Sequence, residues 1–150
     1  MDELDGRILR ALRQDGRISI TDLAAKVGLS ATPVARRVRQ LEEDGVITGY
    51  SAEIDEAKVG SGFSVFVSVK LDRQIDEALA TFEKAIGEFP EVVDCWLMTG
   101  NRDYLMRVAT ADLVAFERFL INRLTRVPCV ASIESSIPLR RVKSGQSLPA

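Results

Sequence analysis

The chain has 150 residues, with 20 Lys+Arg against 22 Asp+Glu, a formal net charge of -2, no histidine and two cysteines. With 46% hydrophobic and 28% charged residues, global disorder is excluded, there is room for one average domain or two small ones, and phosphate meets no overall attraction. The missing histidine removes His-dependent triads and His-ligated metals, so no metal or cofactor site is expected.

No apolar run approaches the ~20 residues of a membrane span. The opening MDELDGRILRAL carries acidic residues where a signal peptide needs basic ones. A cytoplasmic protein without a membrane partner is expected. Cys95 and Cys129 sit in the apolar runs VVDCWLM and VPCVASI and read as buried small hydrophobes in a reducing compartment.

Helical periodicity fills the first part of the chain. Leu4, Ile8, Leu9 and Leu12 share a face of a first helix, with Asp2 placed to cap it and Asp15-Gly16 to end it. A second helix starts at the N-cap Ser19, turns Ile20, Leu23, Ala24 and Val27 inward and stops at Gly28. Ser30 is the next N-cap, with Pro33 in the first turn, where proline loses no helical hydrogen bond. Two helices joined by a short turn containing glycine form a helix-turn-helix.

At ~100° per residue, Val34, Val38 and Leu41 lie inward on the third helix. Thr32, Arg36, Arg39, Gln40 and Glu43 lie outward, and Arg37 flanks the buried stripe. Residues 30–41 hold three arginines and no acid, whereas residues 1–50 balance eight basic against eight acidic residues. The positive charge is therefore concentrated where a recognition helix meets double-stranded DNA. Gly45 to Tyr50 then reads as a helix stop and a short strand, opening either a wing or a linker.

The rhythm changes near Phe63. FSVFVSVKL alternates as a strand, Ile75 to Phe89 fits a helix closed by Pro90, and VVDCWLMT and YLMRVAT form a hairpin around Gly100 to Asp103. Asp112 starts a helix with Leu113, Phe116, Leu120 and Leu124 inward, and VASIESSIPL is the last strand. This βαββαβ order is that of an α+β, ferredoxin-like fold with helices on one sheet face. Phe66, Trp96 and Ile137 would lie exposed on the other face, so dimerisation through it is expected. The domains are thus 1–50 helix-turn-helix, 51–62 linker and 63–150 α/β oligomerisation domain, to which a family resemblance adds effector binding.

DGRILRALRQDGRIS, LAAKVGLSATPVARRVRQLEEDGVITGY, TGNRDYLMRV and SSIPLRRVKSGQSLP together resemble the Lrp/AsnC ("feast/famine") family almost end to end, from Leu4 to Pro149. The resemblance implies an N-terminal winged helix-turn-helix that binds DNA and a C-terminal module that senses a small effector, usually an amino acid. It further implies homodimers formed through the sheet of that module and assembled into rings, often octamers. The family pattern falls on Ser30, Thr32, Val34, Arg37, Val38, Leu41 and Glu42. It makes Ser30, Thr32, Pro33, Arg36, Arg37, Arg39 and Gln40 the candidate DNA-binding residues. Many relatives have Cys-Trp after the proline, where Val34-Ala35 stands here, which leaves open which bases are read.

Family effectors bind near the TGxxDYL hairpin between dimers, which maps onto Thr99, Gly100, Asn101, Arg102, Asp103, Tyr104 and Leu105, with Ser135 and Ser136 as neighbours. Asp103 suits an ammonium group, and the turn's amides suit a carboxylate. Equally, Gly100 to Asp103 is an ordinary hairpin turn in which Asp103 caps a free N–H. Arg102 either selects a polar ligand or points to solvent. The implied function is a ligand-responsive transcription regulator. The alternative is a ligand-independent, architectural nucleoid-type protein with the same DNA surface. An enzyme is disfavoured, because the chain lacks histidine, a P-loop and a positioned cysteine nucleophile.

Overall fold

The computed structural model describes residues 1–145. It divides into two compact units, residues 1–53 together with the described tail 141–145, and residues 54–140.

In the first unit, α1 (Glu3–Gln14), α2 (Ile20–Val27) and α3 (Ala31–Glu43) follow the sequence punctuation closely. Asp2 and Asp5 form a reciprocal capping box at the start of α1, and the Ser19 side chain accepts from the Asp22 amide at the start of α2. Gly28 ends α2 at φ +72°, a left-handed conformation that side-chain-bearing residues resist. The Leu29 amide then donates to the Ala24 carbonyl at 3.0 Å, closing the turn. Ile8, Ala11, Leu23, Ala24, Val27, Val34, Val38 and Leu41 form the core. Ile20, expected inward, is 36% exposed, because its place in the first turn of α2 lies at the rim of this small core.

The short strand expected after α3 does not form. The Val46 and Ile47 amides both donate to the Leu41 carbonyl, at 2.9 and 3.0 Å, which commits them to capping α3 rather than to a ladder. Residues 141–145 cluster with the first unit. There the Arg13 Nε donates to the Gly145 carbonyl at 2.6 Å. Gln146 to Pro149 of the closing motif lie outside the described residues.

The second unit contains β1 (Phe63–Leu71), α4 (Asp76–Gly87), β2 (Val92–Leu97), β3 (Tyr104–Thr110), α5 (Leu113–Asn122), a 3-10 turn (Leu124–Arg126) and β4 (Val130–Ser136). The sheet is antiparallel in the order β2-β3-β1-β4, the ferredoxin-like arrangement expected. Val65, Val67, Val69 and Leu71 of β1 pack with Tyr104, Met106 and Val108 of β3 against Ala78, Phe82 and Ile86 of α4 and Phe116 and Phe119 of α5. Two inward assignments on α5 shift. Leu113 is 56% exposed while Phe119 is buried, and Leu124 is buried from the 3-10 turn rather than from the helix.

Cys129 is buried as expected, but Cys95 is exposed, because β2 is an edge strand with a neighbour on one side only. On the uncovered sheet face Phe66 is partly buried and Trp96 is 46% exposed, whereas Ile137, expected there, is 51% exposed but lies past the end of β4, outside the ladder. Among the described residues no helix is long and apolar enough to cross a membrane.

Candidate DNA interface and effector site

Helix α3 presents the predicted residues on its outer side. Ser30 occupies the N-cap with extended backbone but makes no side-chain cap bond, unlike Ser19. Thr32 is exposed and Pro33 half-buried in the first turn. Arg36 and Arg39 are exposed and make no ion pair with the described residues. The Gln40 Nε2 donates to Asp44 Oδ1 at 2.8 Å across one helical turn.

Arg37 differs. Its Nη1 lies 2.8 Å from Asp2 Oδ2 and 2.8 Å from Asp5 Oδ1, tying α3 to the first turn of α1. The Asp5 amide, and then the Arg37 guanidinium, hold the Asp2 carboxyl below its ordinary range. The same pairing, with Asp5 first and Asp2 second, raises Arg37 further. Asp2 was legible as a helix cap. Its second role was not, because the partners are 35 residues apart in sequence.

The hairpin residues come together but are largely engaged by the fold. Thr99 and Asn101 are exposed, and Gly100 sits at φ +100°, a conformation that the turn requires and that favours glycine. Asp103 is only 4% exposed. Its Oδ2 accepts from the Leu71 amide at 2.7 Å and its Oδ1 from Gln74 Nε2 at 2.5 Å. Of the two roles open in the sequence, the structure displays the capping one. The Tyr104 ring stacks on Phe82 with centroids 4.4 Å apart, and its hydroxyl donates to Glu83 Oε1 at 2.7 Å. Burial, then the Glu83 carboxylate, push the Tyr104 phenol well above its ordinary value. Nearby, the Cys95 thiol, exposed at the sheet edge but on the helix-covered face beside Met106, is pushed up to about 11, first by the desolvation of its sulfur on that face and second by Glu83, which favours the protonated form at neutral pH.

Arg102 neither points to solvent nor stands free. Its Nη1 donates to Ser132 Oγ at 2.8 Å and its Nη2 to Glu134 Oε2 at 2.7 Å. Leu105 pairs with Ser68 and Trp96 on the uncovered sheet face, where Arg107 also bridges Glu56 and Asp94.

Ser135 and Ser136 do not join the hairpin within one chain. They pair with Val67 and Phe66 on one side of β1, whereas the hairpin enters β3 on the other side of β1, so that β1 stands between them. With strands about 4.8 Å apart and about 3.3 Å of rise per residue, the separation exceeds about 10 Å. Adjacent serines on a strand also face opposite sides of the sheet.

A cleft of about 460 Å³, which the sequence did not signal, opens at the far end of β3. Glu91, Thr110, Arg118, Phe119, Asn122 and Arg123 line it.

A helix-turn-helix whose third helix presents Arg36 and Arg39 without ion-pair partners among the described residues, joined in one chain to a ferredoxin-like module, defines a two-domain DNA-binding regulator. The comparisons agree. Residues 1–48 match a winged helix-turn-helix DNA-binding model, and residues 64–148 match the Lrp/AsnC ligand binding domain. The chain belongs to the Lrp/AsnC family, whose named members are transcriptional regulators rather than enzymes.

Among curated relatives, the Bkd operon transcriptional regulator of Pseudomonas aeruginosa is 51% identical over 95% of this chain and 93% of its own length. The proline dehydrogenase transcriptional activator of Rhodobacter capsulatus is 39% identical over 95% of this chain and 92% of its own length. Among solved structures, a transcriptional regulator from Neisseria meningitidis in complex with L-Met superposes with a TM-score of 0.93 at 33% identity, covering 99% of this chain and 96% of that one. An AsnC family regulator from Agrobacterium tumefaciens gives 0.90 at 39% identity, covering 99% and 97%.

Proposed function

We propose that this transcription regulator reads DNA through α3 and adjusts its binding to a free amino acid. The carrying observation is the pair of exposed arginines, Arg36 and Arg39, without ion-pair partners among the described residues. Unneutralised guanidinium groups on a helix whose opposite stripe is buried suit phosphate oxygens or guanine edges in a major groove. Ser30, Thr32, Pro33 and Gln40 border them and fit hydroxyl, van der Waals and amide contacts to bases or backbone.

The effector reading rests on the family module and on the relative solved with L-Met. Because Asp103 and Tyr104 are bound within the fold, the free turn groups left for a ligand are Thr99, Asn101 and the backbone around Gly100. Ser135 and Ser136 lie on β4, across β1 from β3, and a second copy set against this face would bring further groups to the turn. A site shared between copies therefore goes with oligomerisation. A dimer that covers Phe66, Trp96 and Leu105, with dimers joined into an octameric ring, supplies such a boundary. A cytoplasmic location fits these partners.

The test is direct. Fragments from around the protein's own gene are titrated against random duplex at about physiological salt, with and without each amino acid. Preferential binding that one amino acid changes supports the proposal. No preference for any such fragment contradicts the DNA reading. Sequence-tolerant binding that no amino acid alters, with no thermal shift, favours the architectural alternative.

A further inference from the structure

The N-terminal capping box and the recognition helix share one hydrogen-bond network. Asp2 Oδ1 accepts from the Asp5 amide, and Asp5 Oδ2 accepts from the Asp2 amide, each at 2.9 Å. The remaining oxygens, Asp2 Oδ2 and Asp5 Oδ1, both accept from Arg37 Nη1. All four carboxylate oxygens are engaged.

Reciprocal capping brings two carboxylate side chains together at the first turn of α1. Arg37 is the cation that bridges them, with Nη1 2.8 Å from an oxygen of each. Its side chain is 31% exposed and that of Asp5 14%, so the pair is partly shielded from the screening that makes fully exposed ion pairs weak. Moving this guanidinium onto a phosphate would leave two adjacent carboxylates uncompensated beside a polyanion.

We propose that Arg37 is a positioning residue, which locks α3 to the first turn of α1 and so sets the angle at which Arg36 and Arg39 meet DNA, rather than a DNA contact itself. The inference rests on the DNA-binding reading above. It makes residues on α1, remote from the recognition helix in sequence, part of the specificity apparatus.

The test measures affinity for a preferred fragment and for random duplex across a salt series. It uses the full-length wild type, Arg37→Ala, Asp5→Ala and the double variant, with circular dichroism confirming folded protein at the assay temperature. Each single variant is expected to lower the preferred-to-random ratio by about threefold to tenfold, and the double variant to fall no lower than the worse single, as coupled partners do. The salt slope on random DNA is expected to stay unchanged. A change in stability alone would not move this ratio in folded protein.

The proposal is overturned if Asp5→Ala raises affinity while Arg37→Ala flattens the salt slope by about 0.9, the signature of one lost phosphate contact. Should Asp5→Ala fail to fold, Asp2→Asn removes a charge at the half-exposed member while keeping an acceptor for the Asp5 amide. A fall in the ratio supports the clamp, and a rise overturns it. A wild type without preference for any fragment brings down the DNA reading and the clamp with it. A wild type with preference, whose variants behave as contact mutants, brings down the clamp alone.

Discussion

On α3, Arg36 and Arg39 stand exposed without ion-pair partners among the described residues, whereas in the β2–β3 hairpin Arg102, Asp103 and Tyr104 are each bound to other side chains. Both segments are prominent in the sequence and both carry family motifs. Their side chains nevertheless serve different ends. A motif recurs in a family either because it touches a ligand or because it shapes the loop that does. Free hydrogen-bonding capacity separates the two cases.

The largest expected effect breaks the α3 side of this contrast. Replacing both Arg36 and Arg39 by Ala is expected to weaken binding to a preferred duplex by at least about tenfold, measured by fluorescence anisotropy, since each arginine contact is worth roughly 1–3 kcal/mol. The melting temperature should hardly change, because neither side chain makes an ion pair or hydrogen bond with the described residues.

Next in size is the hairpin's buried acid. Asp103→Ala leaves the Leu71 amide without its acceptor, and exposing such a deficit costs about 1–3 kcal/mol. Denaturant unfolding should show that loss, with DNA affinity per folded molecule intact. A stable Asp103→Ala protein that has lost only its response to an amino acid would instead return Asp103 to the ligand.

Tyr104→Phe keeps the stack on Phe82 and loses the bond to Glu83, at a cost of about 1 kcal/mol. The phenol's raised pKa has a definite sign. The folded state favours the protonated form, so this contribution is fully present below the ordinary tyrosine value of about 10 and is lost as pH rises through the folded value. Absorbance at alkaline pH should show Tyr104 ionising later than an ordinary tyrosine, and no earlier than unfolding if the chain unfolds first. The smallest effect on stability is expected from Arg102→Ala, under about 0.5 kcal/mol, because the Glu134 side chain is 64% exposed. A changed order of amino-acid preference in that variant would make Arg102 a selectivity residue.

The helix-turn-helix was legible because its signals are local. Asp2, Ser19, Gly28 and Ser30 mark helix ends within a residue, and the inward stripe Val34, Val38 and Leu41 leaves the outward face by elimination. The strand order followed from the alternation of strands and helices. What the sequence withheld depends on distant partners. Nothing local pairs Arg37 with Asp5, or Asp103 with Leu71 and Gln74, which are up to 32 residues away. An apolar run such as VVDCWLM also looks the same whether its strand is central or at an edge, and the edge position of β2 exposes Cys95 and Trp96. The strand expected after α3 failed for a similar reason, because the Leu41 carbonyl competes for its amides.

The central claim is that the guanidinium groups of Arg36 and Arg39, without ion-pair partners among the described residues, carry the DNA contact. The salt dependence of binding to one preferred duplex, compared between the wild type and the Arg36→Ala, Arg39→Ala double variant, tests it most directly. If both grip phosphate, the slope of log affinity against log salt is predicted to shrink by about 1.8, and if one reads a base, by about 0.9 together with relaxed preference at that base. An unchanged slope with unchanged preference would contradict the claim.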